Sequence, residues 1–271
     1  MSFRELGYLS PESAQWIVTN RRDHGGWFSH VDRLNRLAQR TLFAASADED
    51  SNRELVSILL FVRAVFHFQA VVLLAERGMT VEARSLARGS LEAAFCLRAL
   101  VANEGFLDQL VRADTHHRKN IVAALTSPSH RHFLDPSRIP VLDSFLIELK
   151  SSGKTAALNM EQVAKMGGLH EVYQTIYRGL SGDASHVSAS SLNRYIAEPD
   201  EGRATIAVGP VVPTGEIDET LQAASLALHA CLDGLASLLR LDAIAGELGA
   251  LRSQYHDLTE RMSHGQNTDT C

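Results

Sequence analysis

The sequence predicts an all-α protein, a single helical-bundle domain of about seven to nine helices. Apolar residues recur at three- and four-residue spacing through most of the 271 positions, and Gly, Pro and N-cap residues separate the periodic segments. One stretch, near 203–213, instead carries β-branched residues between Gly and Pro. We expect it to form a small irregular or hairpin insertion.

The composition excludes several classes of function and partner. Apolar residues make up 45% of the chain, which is enough for a core that needs no disulfides. Only three cysteines occur, so we expect a cytoplasmic protein. The net charge of −6 argues against DNA as a partner. The longest apolar run, 55–62, is short for a bilayer and ends at Arg63, so no membrane partner is expected. No cofactor motif is present.

The first helix is predicted to begin at Ser10, which can cap it, with Pro11 at the first helical position. Gly25 and Gly26 signal a turn, and a second helix follows over about 28–45. We assign residues 1–50 to an N-terminal helical extension, residues 51–262 to the bundle and residues 263–271 to a disordered tail.

Two long helices come next. The first, from Ser51 or Asn52 to Gly78, is apolar on nearly all sides, which predicts a central position. The second runs over about 80–104, with Thr80 as its expected cap. Gly89 within it costs about 1 kcal/mol relative to Ala, which indicates a close helix crossing.

The rest of the chain is predicted to be helical apart from a Pro-containing loop at 127–140 and the insertion near 203–213. A final helix is expected over 216–262, and its apolar spacing at 221–239 suggests a homodimer seam. The remaining predicted helices cover 106–125, 140–152, 159–167 and, as one or two helices, 169–196.

Two polar features suggest a site. Arg84, Arg88 and Glu92 follow one another at four-residue intervals along one helix face. This ridge is either solvated or turned inward, where its charges need complete pairing. The segment 177–192 can supply partners, because its small residues permit close approach of a helix. The expected cleft is lined by Arg84, Arg88, Glu92, Arg178, Ser181 and His186.

The segments "ARSLARGSLEAAFCLRAL" and "VYQTIYRGLSGDASHVSASSLNRYI" resemble a bacterial family known as domain of unknown function 5677. The resemblance covers roughly residues 55–240. That family is similar in layout to the HEPN domains, helical domains named for nucleotide binding in higher eukaryotes and prokaryotes, many of which are ribonucleases. The motif residues are Arg88, Glu92, Tyr177, Arg178, Leu180, Ser181 and His186.

The resemblance implies a metal-independent ribonuclease or an inactive relative of one. HEPN enzymes place a His four to six residues after an Arg, whereas seven residues separate Arg178 from His186 here. Arg112 and His117 do fit the spacing, although Ala follows the Arg. In this hypothesis His186, or else His117, is the acid/base, and Arg178, or else Arg112, stabilises the phosphorane. Glu92 and Ser181 complete the catalytic set, and the expected binding residues are Arg84, Arg88, Arg112, His117 and Tyr177.

Two other hypotheses remain open. The same cleft can hold a small anionic ligand or a partner segment without catalysis, or its residues can be a structural polar core in a homodimer. A metal site built on Asp114 with His117, and Asp183 with His186, lacks the Glu-x2-His pairs usual in helical metal proteins. We therefore expect no metal.

Overall fold

The computed structural model describes residues 2–151, 153, 155–184, 189–200, 203–207, 209, 212–213 and 215–266. Within these residues the chain is a bundle of α-helices around one hydrophobic core. The prediction of an all-α helical bundle is confirmed.

The helices are numbered in chain order. A short α1 and two 3-10 turns precede the first long helices, and a π-helical turn over Tyr173–Tyr177 joins α9 directly to α10. The bounds are α1 Phe3–Leu6, α2 Ala14–Asp23, α3 Gly25–Ala44, α4 Asn52–Ala75, α5 Thr80–Ala102, α6 Phe106–Leu125, α7 Ile139–Ser151, α8 Met160–Met166, α9 His170–Val172, α10 Arg178–Ala184, α11 Ala189–Asn193, α12 Glu216–Leu239 and α13 Ala245–Gln266.

Helix α5 is the centre of the bundle. It packs along α4 on one side and α12 on another, and α8 and α10 cover further parts of it. Glycines make both long crossings close. A Cβ on Gly89 would lie 2.8 Å from the His67 ring of α4, and a Cβ on Gly234 of α12 would overlap Leu97. The expectation that Gly89 marks a close crossing is confirmed.

The predicted insertion is a two-stranded antiparallel hairpin. Strand β1 covers Ile196–Asp200 and strand β2 covers Arg203–Ile206, with Ile196 opposite Ile206. The hairpin therefore begins earlier than the predicted 203–213, because the preceding polar segment supplies the first strand.

Ser10 is a cap as predicted, but it caps a 3-10 turn that follows α1, so the prediction that the first helix begins there is wrong. The Ser10 hydroxyl accepts a hydrogen bond from the Glu12 amide, with Pro11 at the first position of the turn.

The predicted turn at Gly25 and Gly26 is also wrong, because both residues lie in the first turn of α3. Helix α3 then contributes Phe28, Val31 and other fully buried residues to the common core and packs on α4, α12 and α13. In its packing, α3 belongs with the bundle although it lies in the assigned N-terminal extension.

Helix α4 begins as predicted, since Ser51 accepts from the Glu54 amide. The prediction that it is central is wrong. Its Phe61 and Phe68 are fully buried, whereas Leu59 and Phe66 on the opposite side are more than half exposed. By length and composition alone, α4 and α12 could each cross a membrane, but both pack on α5, and buried core helices share these properties. The absence of a membrane partner stays a prediction.

The predicted final helix over 216–262 is wrong. Helix α12 ends at Leu239, Arg240 adopts a left-handed conformation (φ 55°), and α13 returns along α12. No Gly or Pro marks this break, so a stop signal is missing from the sequence there. The stripe that suggested a homodimer seam, including Leu221, Leu228 and Leu235, is buried inside the chain itself.

The C-terminal tail is also shorter than predicted. Helix α13 continues to Gln266, so residues 263–266 are helical. Residues 267–271 lie outside the described residues.

Two histidines are buried where α3 meets α12. The Nε2 atoms of His30 and His229 lie 3.4 Å apart, and the Tyr255 ring of α13 packs against both. Burial lowers the pKa of His30 to about 4 and that of His229 to about 3. Nearby basic groups add to this effect, Arg33 for His30 and Arg252 for His229. Both imidazoles are therefore neutral in the folded protein near neutral pH.

We expect Gly234→Ala to lower the free energy of unfolding by about 1–3 kcal/mol, because the added methyl overlaps Leu97, a fully buried side chain. Gly249→Ala in α13 is the matched control. Its methyl meets nothing within 4 Å, so helix propensity should stabilise it by up to about 1 kcal/mol. Urea denaturation of both variants measures this, and equal effects would contradict the close crossing.

Stability should fall on acidification below neutral pH. Between the ordinary histidine pKa of 6.5 and the lowered pKa values of the folded protein, the unfolded chain takes up protons that the folded chain does not bind. For His30 alone the loss is about 3 kcal/mol by about pH 4. Denaturation across this range should show a flatter profile for His30→Gln/His229→Gln, whereas the exposed His117→Gln should keep the wild-type slope.

Candidate functional site

The Arg88–Glu92 ridge of α5 meets the segment that begins at Tyr177. The Arg88 guanidinium donates to Ser181 Oγ at 3.0 Å and to the Tyr177 hydroxyl at 2.7 Å, and its Nη2 lies 3.1 Å from Glu92 Oε1. The Tyr177 hydroxyl in turn donates to Glu92 Oε1 at 2.7 Å. These four residues form one connected network between α5 and α10, which we call the Arg88 network.

The Arg88 network lies on an aromatic floor. The π-helical turn places Tyr173 and Tyr177 in a stack with ring centroids 5.0 Å apart, and Phe95 of α5 packs on Tyr177 at 5.5 Å. Burial, together with the hydrogen bond to Glu92, raises the pKa of Tyr177 to about 12. Tyr177 is therefore a neutral phenol that donates to the carboxylate and accepts from Arg88, whose guanidinium also lies over its ring.

The Arg88 network is closed but only half-buried. The Arg88 and Glu92 side chains are 30% and 32% exposed. Three neighbours already occupy the guanidinium, so its geometry is that of a clamp which holds α10 against α5. An arginine whose Nε and Nη2 groups are already bonded also binds an incoming anion poorly, because bidentate binding through these groups would first break the existing hydrogen bonds.

Arg84, one turn earlier on α5, has a different environment. Its Nη1 lies 3.6 Å from Glu216 and 3.4 Å from Glu219, both on the first turn of α12. Glu216 is buried and also binds Arg194 at 2.7 Å and the Thr80 hydroxyl. Thr80 was expected to cap α5, but its side chain serves this buried carboxylate instead.

A cavity of about 310 Å³ opens beside Arg84, between α5, α10, α12 and α13. We call it the Arg84 cavity. Its wall combines hydroxyl and amide groups with apolar side chains. The lining residues outside α5 are Thr175, Ile176, Gly179, Leu180, Glu219, Gln222, Ala223, Thr259, Met262 and Ser263.

The predicted site residues divide among several places. Arg88, Glu92, Tyr177 and Ser181 meet in the Arg88 network, and Arg84 lies at the adjacent cavity. Arg178 is exposed and donates to Gln174 at 3.0 Å, in a separate surface group that includes Glu161 and His170. His186 lies outside the described residues.

The alternative pair of Arg112 and His117 lies on α6, away from the Arg88 network. Both residues are exposed, and five positions on a helix set them about 140° apart around its axis. Arg112 lines another cavity, of about 340 Å³, between α6 and residues 155–166. Arg112 and His117 therefore do not share a face of α6, and none of His117, Arg88 and Glu92 lines this cavity.

Within the described residues, no group of three or more His, Cys, Asp or Glu side chains could hold a metal ion. Of the residues considered for a metal, Asp114 forms an ion pair with Arg118 at 2.7 Å. His186 and the Asp183 side chain are not among the described parts of the chain.

Sequence reasoning missed several polar residues that the fold places near these sites. Arg63 and His67 of α4 lie near Glu92, and burial together with Arg63 lowers the pKa of His67. The signal was present, because Arg63 and His67 interrupt an otherwise apolar helix. The buried carboxylate of Glu216 had no such signal, since an acidic residue in the first helical turn is ordinarily a surface group.

Comparison with known proteins gives a family but no activity. A family model described as a family of unknown function (DUF5677) matches residues 54–203, more than half of the chain. The matched region runs from the start of α4 to the start of β2, so it stops short of the expected residue 240. No curated protein and no solved structure matches the chain.

We expect Arg88→Ala to lower the free energy of unfolding by about 1–3 kcal/mol, because it leaves Glu92 and the Tyr177 hydroxyl without their shared donor. Arg178→Ala is the matched control. It removes an exposed arginine with one bond to Gln174, and it should change stability by less than about 0.5 kcal/mol. Chemical denaturation distinguishes the two, and a neutral Arg88→Ala would mean that the clamp contributes little.

Proposed function

The chain belongs to the DUF5677 family, and we propose that this member is a non-enzymatic binding protein whose Arg84 cavity takes a small anionic ligand. The observation that carries the proposal is the position of Arg84. Its side chain is 13% exposed, and it borders a cavity within the size range of small-molecule sites. A nearly buried cation at such a cavity is a strong recognition group for a carboxylate or a phosphate.

Glu219 acts as the internal competitor of the ligand in this proposal. Its carboxylate lies 3.4 Å from Arg84 and is 45% exposed, so it can move into solvent when another anion arrives. Glu216 remains in place, because it is buried and held by Arg194 and Thr80. An incoming anion therefore replaces one exposed carboxylate without uncovering a buried charge.

The rest of the wall suits a small ligand with one apolar side. Thr175, Gln222, Thr259 and Ser263 offer hydroxyl and amide groups, while Ile176, Leu180 and Met262 offer apolar contacts. The Arg88 network has a supporting role, since it fixes α10, which carries part of this wall, against α5. We place the protein in the cytoplasm, consistent with its free, buried Cys96 and Cys231.

Thermal shift with inorganic phosphate and a panel of short-chain carboxylates tests the proposal. A bound ligand raises the melting temperature by mass action. Glu219→Gln should increase the affinity several-fold, because it removes the competing charge. Gly179→Leu should abolish the shift by filling the cavity from a position where an added Cβ meets nothing within 4 Å.

Gly249→Leu is the matched control for the blocking variant, because Gly249 is also unobstructed but does not line the cavity. It should retain the full ligand-induced shift. If no anion in the panel stabilises the wild type or Glu219→Gln, the cavity is not an anion site and the proposal fails.

The HEPN resemblance makes ribonuclease activity the competing function, and the same preparation tests it. Incubation with RNA in the presence of a chelator should give no cleavage if the protein only binds. Cleavage that disappears in His186→Ala, with folding intact, would replace the binding function with a metal-independent ribonuclease.

A further inference from the structure

Met262 of α13 borders two cavities. It lines the Arg84 cavity, and it also lines a second cavity of about 230 Å³ that opens beside His24, where α2 joins α3. We call the second one the His24 cavity. Met262 is the one described residue that lines both. Its side chain is therefore the partition between them.

The two cavities lie on opposite sides of the contact between α12 and α13. On α12, Asp218 lines the His24 cavity and Glu219 lines the Arg84 cavity. On α13, Leu258 lines the His24 cavity and Thr259 lines the Arg84 cavity. Successive residues of a helix point about 100° apart, so each pair straddles the line along which the two helices meet. Met262, one turn beyond Leu258, lies on that line.

A hydrogen bond joins the two helices three positions before Met262. Gln222 of α12 donates to the Thr259 hydroxyl at 3.0 Å, and Leu251 and Tyr255, earlier on α13, are buried against the bundle. These contacts fix the separation of α12 and α13 without Met262. A shorter side chain at position 262 should therefore open a passage between the cavities and not draw the helices together.

We propose that Met262 limits the length of the ligand in the Arg84 cavity and so restricts it to short-chain carboxylates. This inference rests on the anion-binding function proposed above. Arg84 takes the carboxylate, and the hydrocarbon chain packs on the apolar part of the wall, which includes Ile176 and Leu180. A chain long enough to pass this wall meets Met262, whose side chain packs partly buried against the core and closes the way to the His24 cavity.

The His24 cavity suits the remainder of a longer chain. Trp27 and Leu258 give its wall an apolar part. His24 and Asp218 are already paired, with Nδ1 and Oδ1 2.8 Å apart, so a passing hydrocarbon chain breaks no ion pair. Arg261 also lines this cavity, but it is exposed and can keep its guanidinium in water. Once the partition is shortened, additional methylenes therefore leave water for an apolar wall.

Isothermal titration calorimetry with straight-chain carboxylates from acetate to octanoate tests the limit. In the wild type the affinity should rise with chain length and stop rising at the acid whose chain reaches Met262. Met262→Ala should move this limit to longer acids, and each methylene beyond the wild-type limit should then add about fourfold in affinity. Met262→Val, which shortens the side chain less, should move the limit less.

Met262→Leu and Met166→Ala are the matched controls. Leucine fills nearly the same volume as methionine, so Met262→Leu should keep the wild-type limit. Met166 of α8 also packs partly buried against the core but lines a different cavity. Met166→Ala removes the same atoms there and should leave the chain-length profile unchanged. Melting temperatures without ligand show whether each variant folds.

A double variant tests where the longer chain goes. Leu258 lines the His24 cavity but not the Arg84 cavity, so Met262→Ala/Leu258→Phe adds bulk beyond the partition and should restore the wild-type limit. Long acids that bind the double variant as well as they bind Met262→Ala would show that the chain does not enter the His24 cavity, and would overturn the proposal.

The outcomes separate this inference from the function on which it rests. If short-chain acids bind the wild type but Met262→Ala has the same limit, Met262 is not the partition and the inference fails, while the anion site stands. A wild type whose affinity rises without a limit up to octanoate rejects the inference in the same way. If no acid binds the wild type or any variant, the anion site and the inference both fail.

Discussion

The central position of α5 is the constraint on which the other features depend. Because α4 and α12 pack along it, most of its surface is buried, and small residues such as Ala87 and Ala94 allow this. The spacing of Arg84, Arg88 and Glu92 places these three charged residues on the remaining side, while Ser90 is buried where α5 meets α4. Charges in such a position need partners, and α10 and the first turn of α12 supply them.

Two arginines one turn apart on α5 acquire different chemistry from these partners. Arg88 is held mainly by neutral hydroxyls and one carboxylate at 2.7–3.1 Å, which makes a compact structural network. Arg84 faces two carboxylates at longer distances beside an open cavity. The difference arises from the approaching segment, since the π-helical turn and α10 present Tyr177 and Ser181, whereas α12 presents acidic residues at its N-terminus.

The elements with local signals could be predicted from the sequence, whereas those set by tertiary packing could not. The start of α4 at Ser51 and the close crossing at Gly89 follow from capping and glycine chemistry, and both are confirmed. The break at Arg240 carries no such signal, because a non-Gly residue adopts the left-handed conformation there. At the site, the meeting of Arg88 and Glu92 with Ser181 was inferred from the need to pair buried charges. The burial of Glu216 depends on how α12 enters the bundle, which no local pattern encodes.

Helix α4 shows why an apolar sequence alone does not reveal what covers a helix. A helix that is apolar on all sides can be central to one chain or shared between a core and a second partner, and the two cases have the same composition. Burial distinguishes them, because Phe61 and Phe68 are enclosed while Leu59 and Phe66 are not. The exposed apolar side of α4 shares no residue with the lining of the Arg84 cavity. The two surfaces are therefore separate, and both α5 and α12 pack on α4 while also lining the cavity.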